Sequence, residues 1–430
     1  MSRISRWAAL AATIVVLAGC GTLESTTPKP PDAARSSTAT SVLGESTATV
    51  SPVPAATDTR PASATAALPA ATVFGTPSPT ATVAPAAEVS PVVEVVATGL
   101  EVPWALAFAP DGRLFFTERP GRLRVIEGGV LRPENLAADL PVAAEGEGGL
   151  MGLALDPGFT ANGRLYVMYT YRQGGQLYNR ISRLTLGPGG AGDEFVLLEG
   201  ILGGANHDGG RLAFGPDGTL YATTGDAWDR ARAQELDSLN GKILRLNADG
   251  TIPADNPFSG SPVYSYGHRN PQGLAWQPGT GVLYSTEHGP SGEMGACCHD
   301  EVNRIVAGGN YGWPLIVGAE SGADLIDPLA QSGQGTWAPG GAAFFSGSGP
   351  AAWQGSLFFG ALRGQHLHRL ALGDNGAVLA EEELLAGTYG RIRDVAMGPD
   401  GWLYLTTSNR DGRGQPAADD DRILRYGLGG

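Results

Sequence analysis

An all-β fold, a six-bladed β-propeller, is what this sequence predicts, and three observations predict it. The 430 residues include 64 glycines and 31 prolines but only 7% aromatics, a composition that favours many turns over long helices. Beyond residue 91 a phrase recurs six times: a turn rich in Pro, Asp and Gly, then a short run of aliphatic and aromatic residues. No long amphipathic helix separates the copies, as βαβ units would require, and a β-sandwich has no need of six copies of one phrase.

The chain opens with a segment that does not belong to this fold. Met1 to Cys20 carries Arg3 and Arg6, an apolar run from Trp7 to Leu17, and the ending Leu17-Ala18-Gly19-Cys20. It is too short for a comfortable membrane span and reads as a secretory signal. The ending resembles a bacterial lipobox, so Cys20 is expected to become the lipidated first residue of an exported, membrane-anchored chain. That anchor would be the only contact with the membrane. Residues 21–90 follow, and 49 of these 70 are Ala, Pro, Ser or Thr. Such a stretch buries too little apolar surface to offset its ordering entropy, and a disordered tether is expected.

Residues 91–430 read as the propeller domain. The six copies are Pro110-Asp111-Gly112-Arg113-Leu114-Phe115, Asn162-Gly163-Arg164-Leu165-Tyr166-Val167, Pro216-Asp217-Gly218-Thr219-Leu220-Tyr221, Gly279-Thr280-Gly281-Val282-Leu283-Tyr284, Gln354-Gly355-Ser356-Leu357-Phe358 and Pro399-Asp400-Gly401-Trp402-Leu403-Tyr404. The spacing of their leucines suits one four-stranded sheet per copy, with loops of varying length. Of 29 basic and 43 acidic residues, five of each precede residue 91, so this domain carries the whole net charge of −14. That balance excludes a general nucleic-acid-binding surface, which needs a basic field. Three cysteines cannot form a disulfide framework, so stability must come from apolar burial.

Propellers carry function on loops around one mouth of the channel, and four loops are richer in polar groups than hairpins require. They are Glu145 to Gly152; Asn206-His207-Asp208-Gly209-Gly210-Arg211 with Thr224-Gly225-Asp226; Tyr266 to Ala275; and Glu287-His288-Gly289-Pro290 through Asp300-Glu301 to Trp313-Pro314. They supply a base candidate in His207, fixed cations and backbone oxygens. That set suits an oxidation in which a base takes a hydroxyl proton while cations stabilise charge on an acceptor. No nucleotide fingerprint, nucleophile elbow, zincin or P-loop pattern is present, so an organic cofactor of another kind is implied.

The sequence here resembles the pyrroloquinoline quinone-dependent soluble aldose sugar dehydrogenases, the glucose/sorbosone dehydrogenase family. The resemblance is carried by Pro103-Trp104-Ala105-Leu106-Ala107-Phe108 with Thr117-Glu118-Arg119, the His207 loop, Leu239 to Asn247, Ile252 to Pro257, Gly267 to Leu274 and Gly309 to Pro314. It spans 95–427 and itself implies a six-bladed propeller. It implies His207 as the base that takes the anomeric hydroxyl proton of an aldose as hydride passes to the quinone, with a lactone as product. Arg269 and Asn270 would lie beside the quinone, and Arg269 would stabilise the developing oxyanion. Gly289 and Pro290 would hold a calcium ion through their carbonyls. Arg363, Arg391 and Arg393 would pair the cofactor's carboxylates, a task suited to guanidinium groups. Glu147 would lie near the substrate and Thr336 near the cofactor's edge. The electrons would pass to an external acceptor: a quinone, a cytochrome or a dye.

Other readings accompany these. A lone histidine in a glycine-rich loop is structural more often than catalytic; Arg391 and Arg393 alternate as a solvated strand face also would; Glu147 could simply cap a turn. Trp337 beside Thr336 either lines the site or packs. His268 is expected to pack, and so are His366 and His368, in preference to binding a metal. Ser291 to His299 is an extra segment relative to the family pattern, and its vicinal Cys297-Cys298 is expected to close as a strained disulfide, with a Cys297, Cys298, His299, Asp300 metal site as the rival. For the whole chain, the alternatives are a non-catalytic propeller that binds partners or sugar, and a calcium-dependent propeller lactonase.

Overall fold

The computed structural model describes residues 90–428, apart from 138, 321 and 374. The expected signal, the tether and Cys20 lie outside the described residues. Within them the chain forms six four-stranded antiparallel sheets. Blade 1 is β2 (Pro103–Phe108), β3 (Leu114–Glu118), β4 (Arg122–Glu127) and β5 (Val130–Leu131). Blade 2 is β6 (Leu150–Leu155), β7 (Arg164–Gln173), β8 (Gln176–Gly187) and β9 (Gly190–Leu202). Blade 3 is β10 (Leu212–Phe214), β11 (Leu220–Thr224), β12 (Lys242–Leu246) and β13 (Val263–Tyr266). Blade 4 is β14 (Pro271–Trp276), β15 (Leu283–Glu287), β16 (Glu301–Ile305) and β17 (Ala330–Gln331). Blade 5 is β18 (Pro339–Phe344), β19 (Leu357–Ala361), β20 (His366–Leu372) and β21 (Val378–Leu384). Blade 6 is β22 (Ile392–Met397), β23 (Leu403–Thr407) and β24 (Ile423–Leu428), and it takes its fourth strand from the other end of the domain, β1 (Pro91–Ala97).

The recurring phrase has a single structural address: the turn between the first and second strands of each blade. Its leucines, Leu114, Leu165, Leu220, Leu283, Leu357 and Leu403, all sit at the start of second strands and are buried. β3, β11, β15, β19 and β23 are buried at every position because blades pack face to face. Covered on both faces, the start of each such strand is aliphatic or aromatic, which is why this phrase repeats, while Thr, Ser or Glu occupy the buried ends of β3, β11, β15 and β23. Truncating Leu357 to alanine in that setting costs about 2–5 kcal/mol.

The ring closes through β1, which pairs with β24 from Pro91↔Leu428 to Ala97↔Ile423. Asp421 adds a second tie, accepting the Val102 amide at 3.0 Å across the junction of blades 6 and 1. First strands abut around the axis: β6 packs on β2 and β10, and β22 packs on β18 and β2. The β2, β6, β14, β18 and β22 pairings all shift register near the strand start, so a bulge sits at that end of five blades. Bulges re-aim side chains, and these border the loops that converge on one mouth of the ring.

Candidate active site

That mouth holds a cleft of about 530 Å³, within the range of small-molecule and cofactor sites. Its lining comes from two kinds of loop. Loops entering first strands bring Glu147, His207, Arg269, Thr336 and, at the start of β22, Arg391 and Arg393; loops leaving second strands bring His288, Gly289, Pro290 and Arg363.

His207 is buried, with a left-handed backbone at φ 63°. Its ring stacks on Trp228 with centroids 4.7 Å apart, and its Nδ1 lies 2.7 Å from Asp226 Oδ1. Asp226 is fully buried and accepts two further bonds, from the Trp228 amide at 2.9 Å and the Trp313 indole N–H at 2.8 Å. A carboxylate has no proton to give, so in the neutral imidazole the proton sits on Nδ1 and the lone pair on Nε2. Gly225 makes this arrangement possible: a Cβ there would lie 2.0 Å from the His207 carbonyl oxygen. The Asp226 amide also donates to the Arg269 carbonyl at 2.8 Å, so base and cation share one framework.

Arg269 is buried, lies over the Trp313 ring at 5.5 Å, and donates to the His288 carbonyl at 3.1 Å. Its guanidinium is also paired with Glu293, with Nε 2.8 Å from Oε1. Glu293 belongs to the extra segment, so this chain brings its own counter-charge to the cation. Glu147 accepts the His207 amide at 3.0 Å and pairs with Arg413 at 2.5 Å. Burial works against its ionisation, but His288, Arg413 and the His207 amide outweigh that and hold its carboxyl at about 2. Glu147 therefore caps the His207 turn and lines the cleft at once. His288 beside it is pushed down to about 4 by burial, so it is neutral at neutral pH and carries charge only in the acid range where Glu147 titrates.

The opposite wall is cationic. Arg391 pairs with Asp411 at 2.8 Å and donates to the Leu362 carbonyl at 3.2 Å. Arg393 donates to Gln272 Oε1 at 3.1 Å and to Ser408 at 3.2 Å, and its burial, only partly offset by Asp411, lowers it to about 10. Both are buried, so the solvated-face reading of these arginines is overturned. With Arg363 they give that wall more positive charge than Asp411 balances. Thr336 lines the cleft but donates its hydroxyl to Asp300 at 3.0 Å. Asp300 also accepts the amides of Gly289, Trp337 and Ala338, tying the Gly289-Pro290 turn to the loop entering β18.

Every residue expected at the cofactor and substrate site from the sequence lines this cleft except Asn270. Asn270 is fully buried behind it, accepting the Gly209 amide at 3.0 Å with its own amide 3.4 Å from Glu147. It holds the His207 turn and does not reach the cleft. Trp337 packs, tilted against Phe359 and His368. His268 packs as expected, bonded to Ser265 and Glu287 and stacked on Tyr311. Cys297 and Cys298 form a disulfide on the cleft rim, which removes the thiolates that the rival metal site needed. Asp226, Trp228, Trp313, Glu293, Asp411 and Arg413 had no individual role in the sequence reading. Thr224-Gly225-Asp226 stood out as polar, and nothing local tied it to His207.

The glucose/sorbosone dehydrogenase family model matches residues 100–424. Aldose sugar dehydrogenase YliI of Escherichia coli (strain K12) is 35% identical over 351 residues, covering 74% of this chain and 91% of that one. Among solved structures, a putative oxidoreductase (glucose dehydrogenase) from Thermus thermophilus is 49% identical with a TM-score of 0.71, over 78% of this chain and all of that one. The PQQ-bound aldose sugar dehydrogenase from Streptomyces coelicolor is 39% identical with a TM-score of 0.71, over 80% of this chain and 99% of that one.

Proposed function

The chain belongs to the glucose/sorbosone dehydrogenase family, and from that premise we propose that it is an exported quinoprotein that oxidises aldose sugars at the anomeric carbon to lactones. The observation that carries the reading is the His207–Asp226 pair, its tautomer set, facing a cleft whose far wall is lined by arginines. Pyrroloquinoline quinone, an anionic tricyclic cofactor, fits that donor set: Arg363, Arg391 and Arg393 would take its carboxylates, and the Gly289 and Pro290 carbonyls would share a calcium ion with it. When bound, the quinone supplies the acceptor for the hydride lost from the sugar, with calcium as its Lewis acid.

The chain's own residues supply the rest. His207 Nε2 accepts the anomeric hydroxyl proton as the C1–H bond breaks, and Asp226 holds the imidazole in place and stabilises the imidazolium that forms. Arg269 offers charge to an oxyanion in the cleft once it is released from Glu293. An external acceptor then takes the electrons. Export and a lipid anchor on Cys20 are part of the same proposal. Chelated, quinone-free protein is expected to be inactive, and sugar-dependent dye reduction across an aldose panel is expected only with quinone and calcium both restored. Full activity without them, or no turnover of any aldose with them, would overturn it.

A further inference from the structure

β20, which starts directly after the cleft-lining Gln365, carries two histidines on one face. His366 and His368 are two residues apart, which puts both side chains on the same side of the strand, and both are buried. His366 Nε2 lies 3.1 Å from His368 Nδ1. The His368 ring is held by stacking on Phe359 at 4.6 Å and by Trp337 at 4.7 Å. On the edge strand β21, Glu383 sits directly opposite His368, with Oε2 3.9 Å from His366 Nδ1. One ligand atom from each of His366, His368 and Glu383 lies within 4.8 Å of the others. Glu381 brings its Oε2 to 3.6 Å from His368 Nε2.

The hydrogen bonds of this pair leave one ring nitrogen without a partner. His366 Nδ1–H donates to the Gly364 carbonyl at 3.1 Å, so its Nε2 is an acceptor. His368 must then donate from Nδ1, which leaves its Nε2 as a bare lone pair. That atom is buried without a hydrogen bond, and the Glu381 carboxylate 3.6 Å from it is another acceptor.

We propose that His366 Nε2, His368 Nδ1 and the Glu383 carboxylate, swung by a rotamer change of its exposed side chain from the Nδ1 side of His366, form a site for a borderline divalent transition metal such as Zn²⁺, with water as fourth ligand. Two nitrogens at about 2.0–2.1 Å from a tetrahedral metal are about 3.3 Å apart, close to the spacing already present. Metal at Nδ1 moves the His368 proton to Nε2, where Glu381 becomes its acceptor, and His366 keeps its bond to the Gly364 carbonyl. Both imidazoles then have the outer partner that metal-bound histidines usually have. Two nitrogen donors disfavour calcium and magnesium. Glu383 is 59% exposed on its edge strand, so the metal has a way in from solvent. The packing role expected from the sequence holds for the rings but leaves the lone pair of His368 unexplained.

The test is Zn²⁺ binding to the full chain, stripped with chelator and supplied with excess calcium to fill hard-oxygen sites, followed by equilibrium dialysis and calorimetric titration. One Zn²⁺ per chain is expected. Affinity should fall at least tenfold in His368→Gln and in Glu383→Gln, and about 10- to 100-fold in Glu381→Gln. His299→Gln, which alters another accessible imidazole, should leave it unchanged. Co²⁺ should give visible absorption bands that His368→Gln abolishes. Glu383→Gln changes an exposed side chain, so it tests the site even if the histidine variant does not fold. No retained Zn²⁺ in the wild type, or retention that neither variant weakens, overturns the site.

Discussion

Replacing Asp226 with asparagine is the most direct probe of the base. Asp226 Oδ1 takes His207 Nδ1–H at 2.7 Å and the Trp228 amide at 2.9 Å, while Oδ2 takes the Trp313 indole at 2.8 Å. Asparagine has one acceptor oxygen for these two sides. If that oxygen faces Trp313, the amide N–H₂ faces His207 and is satisfied only when the imidazole proton moves to Nε2, which removes the base. If it faces His207, the tautomer survives, but the charge opposing the imidazolium is gone and two donors meet at Trp313. The second outcome loses a charge-assisted bond of about 1.5–3 kcal/mol, roughly 10- to 100-fold in rate. The first loses general-base catalysis, about 10²–10⁴-fold. Turnover at saturating quinone, calcium and sugar should therefore drop at least about tenfold, with cofactor affinity unchanged, as read by dye reduction in a cofactor titration. His207→Ala should drop it by about 10²–10⁴-fold, and the double variant should be no slower than His207→Ala, because groups acting as one unit are not additive. Asp226→Asn within threefold of wild type, or a double variant slowed by the product of the two, would refute the coupling of base and carboxylate.

Three further outcomes are expected. Arg391→Ala should weaken quinone binding about 10- to 100-fold through loss of a charge-assisted pair, with much of the rate restored at saturating cofactor; a rate defect that saturation leaves untouched argues against a cofactor-binding role. Asp208 is buried, has one oxygen without a partner, and is raised to about 7 by that burial. The unfolded chain therefore ionises first as pH rises, and wild-type stability falls between about pH 4 and 7; thermal melts should show Asp208→Asn gaining on wild type across that window, by at most about 4 kcal/mol, and parallel curves would exclude it. Cys20→Ala should release the protein from the membrane fraction with specific activity unchanged, and continued membrane association would remove Cys20 as the anchor.

The blades were legible in the sequence because each second strand, covered on both faces, starts with an aliphatic–aromatic pair after a turn, so Leu114, Leu283 and Leu403 mark the same place in three different sheets. β1 was not. Its burial alternates weakly, as in an edge strand, no turn phrase announces it, and its partner β24 lies over 300 residues away. The same distinction runs through the site. His207, Arg391 and Arg393 could be picked out as chemically apt residues, but what holds them is non-local: Asp226 is set by Trp313, 87 residues further on, and Arg413 reaches Glu147 across 266. Asn270 shows the same thing, since nothing local says that its side-chain oxygen takes the Gly209 amide.

Charge is where local and non-local information diverge most. A chain of net charge −14 repels an anionic cofactor at range, and salt screens that repulsion beyond about 8–10 Å. At contact the balance reverses. Of the five arginines lining the cleft, Arg269, Arg391 and Arg413 each have a carboxylate close by, in Glu293, Asp411 and Glu147, while Arg393 has only a distant share of Asp411 at 3.9 Å. Capture of an anion here depends on groups within hydrogen-bond reach, and Glu293 competes with it for Arg269. The extra segment thus places a carboxylate on the cation proposed for the chemistry, and displacement of that carboxylate becomes a step that binding itself must accomplish.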